Sequence, residues 1–164
     1  MDYIVREAGI GDIESIANIY NQGIEDRVAT LETRLRTNGE MSDWLNNRES
    51  RYKVLVVSNK SGQIYGWSSL NVFNSRCCYN GVADISIYIS RDHRGNGIGK
   101  ILLKGLIDLA KTENFNKLVL STFSFNEVGK KLYRSLGFRE VGTYIKQGIL
   151  DDKFIDITIM EYLL

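Results

Sequence analysis

The chain has no proline, two cysteines, one histidine and no marked excess of either charge across its 164 residues. Without proline, a low-complexity tract or a repeat of fixed period, nothing marks a linker, and one domain over residues 1–164 is expected. Cys77 and Cys78 are adjacent and the only histidine is His93, so no ligand set for a metal assembles, and a vicinal disulfide would be strained. Two reduced thiols in a reducing compartment, the cytoplasm, are expected. The opening stretch MDYIVREAGI carries no cationic, apolar leader, and no apolar run approaches the ~18 residues of a membrane span. Neither a membrane nor a nucleic acid is an expected partner, because 21 basic residues against 20 acidic leave a net charge of only +1.

What is present is a pattern of alternating short strands and amphipathic helices. YIVREA at 3–8 reads as a strand, and Asp12 stands where it can cap a helix whose Ile13, Ile16, Ala17, Tyr20 and Ile24 recur three or four apart. Met41, Trp44 and Leu45 make a weaker second helical stripe. Strands follow at 52–58 and 64–73, joined by the turn NKSGQ. In VADISIYIS, residues 82–90, Ala83, Ile85, Ile87 and Ile89 alternate with Asp84, Ser86 and Tyr88, so one face is core and the other can meet a ligand. A buried helix over IGKILLKGLIDLAKT, an apolar strand at 117–123, a helix burying Val128, Leu132 and Leu136 with Gly137 as its cap, and a final hairpin complete the chain. The order describes a mixed α/β sheet of about seven strands flanked by about four helices.

The segment RDHRGNGIGK at 91–100 lies between the fourth strand and the third helix. Gly95, Gly97 and Gly99 run G-x-G-x-G, which fits neither the G-x-G-x-x-G of a dinucleotide fold nor the spacing of a nucleotide-triphosphate loop. A third arrangement is a turn whose N–H groups converge on an anion at the start of a helix. Arg91, Arg94 and Lys100 would then add attraction for a pyrophosphate. The same residues also read as a glycine-rich turn with solvated charges.

RGNGIG resembles the R/Q-x-x-G-x-G/A pyrophosphate loop of the GNAT acetyltransferase superfamily, and Asn126 followed by KLYRSLGF resembles that family's N...LY...GF segment. The likeness covers nearly the whole chain. IYNQGIEDRVATLETRLRT, SRCCYNGVADISIYIS and DDKFIDI further resemble the phosphinothricin N-acetyltransferase branch, enzymes that acetylate the amine of amino acids or their analogues. The resemblance implies the GNAT fold, acetyl-CoA as cosubstrate, no metal, a small-molecule amine as acceptor and a homodimer, to which the apolar last strand FIDITIM is one candidate contributor. It places the pantetheine arm at Ile87, Tyr88 and Ile89, the pyrophosphate at Arg94, Gly95, Asn96, Gly97, Ile98, Gly99 and Lys100, and a cofactor hydrogen bond at Asn126. Tyr133 would protonate the departing thiolate, as the general acid.

Four positions depart from the branch. Asp84 stands where the branch has Glu; it reads either as a base acting through water or as a solvated carboxylate. Asp151 and Asp152 replace a His–Gly pair and would repel an acidic side chain, and Leu31 replaces an aromatic residue, implying a pocket of altered shape. Arg76 matches a basic position near the substrate mouth, where a guanidinium can hold a carboxylate. His93 sits on the phosphate side and is not expected to act as a base. The other functions considered are a protein N-terminal or lysine acetyltransferase and a CoA-binding regulatory module without turnover.

Overall fold

A computed structural model describes residues 2–164. Strand β1 (Ile4–Glu7) leads through a single 3-10 turn into α1 (Ile13–Glu25), followed by α2 (Asn38–Asn46), β2 (Val54–Ser58), β3 (Ile64–Val72) and β4 (Val82–Ile89). Then come α3 (Ile98–Thr112), β5 (Lys117–Phe123), α4 (Glu127–Ser135), β6 (Arg139–Leu150) and β7 (Lys153–Leu163). The seven strands form one sheet in the order β1-β2-β3-β4-β5-β7-β6, antiparallel except between β4 and β5. The expected mixed α/β sheet with four helices is the observed one.

Period-two alternation divides the core between the two faces of the sheet. Val54 and Val56 of β2 pack with Ile16, Ala17 and Met41 beneath α1 and α2. Leu55 and Val57 face the other way, into a cluster with Leu102, Leu103 and Leu106 of α3. Those three leucines have no exposed surface, and each contributes about 1.5–3 kcal/mol of transfer free energy. Two-sided burial explains why β2 is apolar from Val54 to Val57.

Local chemistry sets the element ends, in several places differently from expectation. At α2, Thr37 Oγ1 accepts the Glu40 N–H at 3.1 Å, and Glu40 Oε2 accepts the Thr37 N–H at 2.8 Å, closing a capping box. Asp12 does precede α1, but its carboxylate accepts the Gly9 N–H and pairs with Arg6 at 2.8 Å rather than capping the helix itself. Asp151 and Asp152, expected to repel an acidic substrate, form the two-residue turn of the last hairpin, with φ of 48° and 61°. Asp151 also pairs with Arg27 at 2.9 Å. Leu31 packs against Gly148 of β6, leaving no room there for a Cβ.

The sheet opens where it must admit a ligand. β4 and β5 pair only at Val82–Lys117, Ala83–Leu118 and Asp84–Val119; beyond these the strands diverge, whereas β4 stays paired with β3 as far as Ile89. Main-chain groups of Ile85 to Ile89 on the β5 side are thereby left without a strand partner.

Candidate active site

Two cavities meet at Tyr88. The first is a cleft of about 470 Å³ running from the gap between β4 and β5 to the start of α3. It is lined by Ile87, Tyr88, Ile89, Arg94, Gly95, Gly97, Gly99, Lys100, Asn126 and Tyr133, ten of the residues expected to bind cofactor or to act beside it. Asn96 is exposed and does not line it, and the Ile98 side chain is 1% exposed, within the core, so only its backbone can face a ligand.

The glycines serve two different purposes. Gly95 and Gly97 have φ of +78° and +79°, a left-handed backbone that side chains rarely adopt, and open space lies where a Cβ would stand. Gly99 instead allows close packing, since a Cβ there would approach Leu132 of α4 at 3.0 Å. Gly97 caps α3 without a side chain, and the Lys100 and Ile101 N–H groups return to its carbonyl. The N–H groups of Ile98 and Gly99 have no backbone acceptor among the described residues. Such an open helix start suits a pyrophosphate. Arg91 and Arg94 are not free cations: both pair with Asp26, at 2.7 and 2.6 Å, and Arg94 also donates to the Ile89 carbonyl. His93 lines the cleft with its ring stacked 4.1 Å from Tyr65.

Helix α4 turns differently from the expected apolar stripe. Val128 is 82% exposed, while Lys130 and Tyr133 are buried and Leu132 and Leu136 are half-buried at the edge of the core. The inward side chains of α4 are Lys130 and Tyr133, three residues apart on one face, and Tyr133 thereby reaches the cleft. Its hydroxyl has no hydrogen-bond partner among the described residues, and burial pushes its pKa up to about 12. Asn126 is the cap of α4: its Oδ1 accepts the Gly129 N–H at 3.0 Å and its Nδ2 donates to Thr122 Oγ1 at 3.1 Å, leaving one N–H for a ligand.

The second cavity, about 560 Å³, lies on the other side of Tyr88, under α1 and α2. Its wall is aromatic: Tyr88 stacks on Trp67 at 4.8 Å and meets Tyr20 edge-on at 5.0 Å, while Trp44 packs on Trp67 at 5.3 Å. Burial raises the pKa of Tyr88 and takes Tyr20 to about 12, so both hydroxyls remain protonated. Glu32 is held ionised by Arg36, through bonds of 2.8 and 2.9 Å. Asn71 and Ser86 join at 3.1 Å along the floor.

Asp84 lies on β4 directly opposite Asn71. Burial pushes its carboxyl up to about 6, against a smaller lowering by the Asn71 side chain. Asp84 is half-buried behind Asn71 and Ser86 and lines neither cavity directly; Arg76, exposed on the loop after β3, lines neither as well. Tyr20, Arg36, Arg48 and Asn71 line the second cavity and were not anticipated. The Trp44–Arg48 spacing of four, with the guanidinium over the indole, is a sequence signal that could have found Arg48.

Comparisons agree with the geometry. Residues 13–138 match the family model described as the Acetyltransferase (GNAT) family. An L-methionine sulfoximine/L-methionine sulfone acetyltransferase of Pseudomonas aeruginosa is 28% identical over 162 residues, 98% of this chain and 94% of the relative. The crystal structure of a GNAT-superfamily phosphinothricin acetyltransferase from Sinorhizobium meliloti in complex with AcCoA is 27% identical with a TM-score of 0.92, covering 100% of this chain and 89% of that one. A ribosomal-protein-alanine N-acetyltransferase from Brucella melitensis superposes as well, with a TM-score of 0.94 at 29% identity over 98% of this chain and 99% of that one. Backbone similarity alone therefore does not separate small-molecule from protein acceptors.

Proposed function

This chain belongs to the Acetyltransferase (GNAT) family, and from that premise we propose that it transfers the acetyl group of acetyl-CoA to the primary amine of a small amino acid or amino-acid analogue. The observation that carries the reading is the pair of cavities joined at Tyr88, one fitted to the cofactor and one of amino-acid scale. Gly95 to Lys100 would hold the pyrophosphate through backbone donors, and the strand edge at Ile87 to Ile89 would pair with the pantetheine arm. Acetyl-CoA supplies an acyl group already activated as a thioester. The chain's own work is to place the amine and to move protons.

Asp84 is the group suited to take the ammonium proton, because its carboxyl, raised to about 6, is ionised at neutral pH yet more basic than an exposed aspartate. A water between them would extend its reach. Tyr133, protonated and without an acceptor for its hydroxyl among the described residues, is suited to give its proton to the leaving sulfur. A panel of amino acids, diamines, aminoglycosides and peptides, assayed for release of free CoA, tests the assignment. Turnover is expected with amino acids; turnover confined to peptides would favour the protein-acceptor reading, and binding of acetyl-CoA with no turnover would leave a regulatory module.

The exposed thiols of Cys77 and Cys78 support a reducing compartment, which we take to be the cytoplasm. No helix among the described residues is long and apolar enough to cross a membrane. A homodimer is supported by β6 and the start of β7, where Val141, Tyr144, Ile145, Ile149 and Phe154 are all more than half exposed. Sedimentation at micromolar concentration is expected to show a dimer; a monomer would dismiss this contact.

A further inference from the structure

Two arginines line the second cavity, and their surroundings differ. Arg36 is neutralised by the Glu32 carboxylate. Every hydrogen-bond acceptor of Arg48 is neutral: Nε donates to the Tyr52 carbonyl at 2.7 Å, and Nη2 donates to Asn71 Oδ1 at 2.8 Å and to the Leu70 carbonyl. The guanidinium lies 4.5 Å from the centre of the Trp44 ring. No ion pair among the described residues includes it, and burial pulls its pKa down to about 10 with no carboxylate acting in the other direction. A guanidinium has five N–H groups, and the two on Nη1 have no partner among the described residues. Glu49 lines the same cavity, but it is exposed and makes no ion pair.

Asn71 links this cation to the acid–base end of the site. It accepts from Arg48 and stands opposite Asp84, so a cation and a carboxyl flank one side-chain amide. An α-amino acid carries the complementary pair on adjacent atoms. We propose that Arg48, rather than Arg76, holds the carboxylate of the acceptor, through Nη1, and so turns its amine toward Asp84. The proposal rests on the acetyltransferase reading above. A neutral or purely cationic amine would leave this half-buried charge unanswered and would bind less well.

Trp44 and Trp67 are the two tryptophans of the chain, and both line this cavity, so intrinsic fluorescence reports on it without turnover. The test compares L-methionine sulfone with its carboxamide, by CoA release, in the parent, Arg48→Gln and Arg76→Ala. The parent should prefer the acid over the amide in kcat/KM by about 10- to 100-fold, as expected for a charge-assisted hydrogen bond. Arg48→Gln should bring the ratio down to within about threefold of unity, by raising KM for the acid, with KM for acetyl-CoA unchanged. Comparing variants cancels the different basicity of the two amines. A folded Arg48→Gln that keeps the parental ratio, including one in which acid and amide fall together, would make Arg48 merely structural and overturn the proposal. So would a collapse of the ratio in Arg76→Ala alone.

If Arg48→Gln does not fold, Arg48→Lys replaces it, with the ratio expected to fall at least about threefold through loss of the planar fork; an unchanged ratio overturns the proposal. If no amino acid is turned over at all, the functional reading fails separately. The anion site is then judged by titrating sodium propionate against tryptophan fluorescence. A saturable change in the parent that is lost in Arg48→Gln supports the site, and a response equal in both removes it.

Discussion

The two cavities on either side of Tyr88 are made of different material. The cofactor cleft is chiefly backbone: a strand edge freed where β4 leaves β5, and a helix start kept open by two left-handed glycines within a few residues of sequence. The cavity proposed for the acceptor is chiefly side chains, drawn from α1, the connection to α2, α2, the segment after it, β3 and β4, and its charges differ in kind: Glu32 and Arg36 pair, while Arg48 has no ion-pair partner among the described residues. A backbone site tolerates sequence drift as long as its conformation survives. A side-chain site can change its ligand by one substitution, which is how one fold serves acceptors as different as methionine sulfone and a ribosomal protein.

The largest effect that would sharpen this contrast is expected at Tyr133. Tyr133→Phe deletes a hydroxyl with no hydrogen-bond partner among the described residues, so folding should be unchanged while turnover falls about 10²- to 10⁴-fold with little change in either Michaelis constant. Turnover within about threefold of the parent, measured where chemistry limits the rate, would leave solvent as the proton donor. Asp84→Asn is expected to cost about 10²-fold in kcat/KM and to abolish an acidic limb that the parent should show near pH 6.

Stability should move the opposite way in that variant. Because the fold raises this carboxyl from 3.8 to about 6, Asp84 favours the folded state only while protonated, a contribution complete below about 3.8 and lost as pH rises through about 6. Asp84→Asn should therefore unfold later than the parent at pH 8, by about 1–3 kcal/mol, and equally at pH 3.5, as measured by urea titration. Equal midpoints at pH 8 would show the carboxyl to be well solvated.

Gly97→Val tests the backbone site itself. The left-handed φ of +79° should be strained by a β-branched residue, and acetyl-CoA affinity should fall about 10-fold or more, with acceptor KM nearly constant. Calorimetry giving unchanged affinity in a folded variant would take the loop out of the site. The smallest effect is expected at Asp26, which restrains Arg91 and Arg94 in exposed ion pairs. Asp26→Asn should change acetyl-CoA affinity by less than about threefold, in a direction that added salt reverses.

The glycine loop was legible because its signal is local: turn, helix start and strand end occur within ten residues, and the left-handed conformation singles out glycine wherever it is needed. Even so, spacing could not tell that Gly99 is glycine for the sake of Leu132. The face that Val128 takes is not legible in the sequence, because an apolar residue on a short helix carries no label for its face, and the core that chooses the face, with Leu102, Leu103 and Leu106 of α3 in the cluster that takes Tyr133, comes from elsewhere in the fold. Leu31 and the Asp151–Asp152 pair read as pocket residues by analogy, yet they pack on β6 and close its hairpin.

Local chemistry in the sequence determined the strand alternation, the helices, the open start of α3 and hence the family and its cofactor, since each depends on neighbours a few residues apart. Tertiary structure alone decided the acceptor side. Arg48 meets Asn71 across 23 residues of chain, Asn71 meets Ser86 across 15, and only the assembled sheet brings them under one roof of tryptophan and tyrosine. Whether a guanidinium is a solvated surface charge or a half-buried cation without a counter-ion depends on water, and water is partly displaced only once the layers have packed.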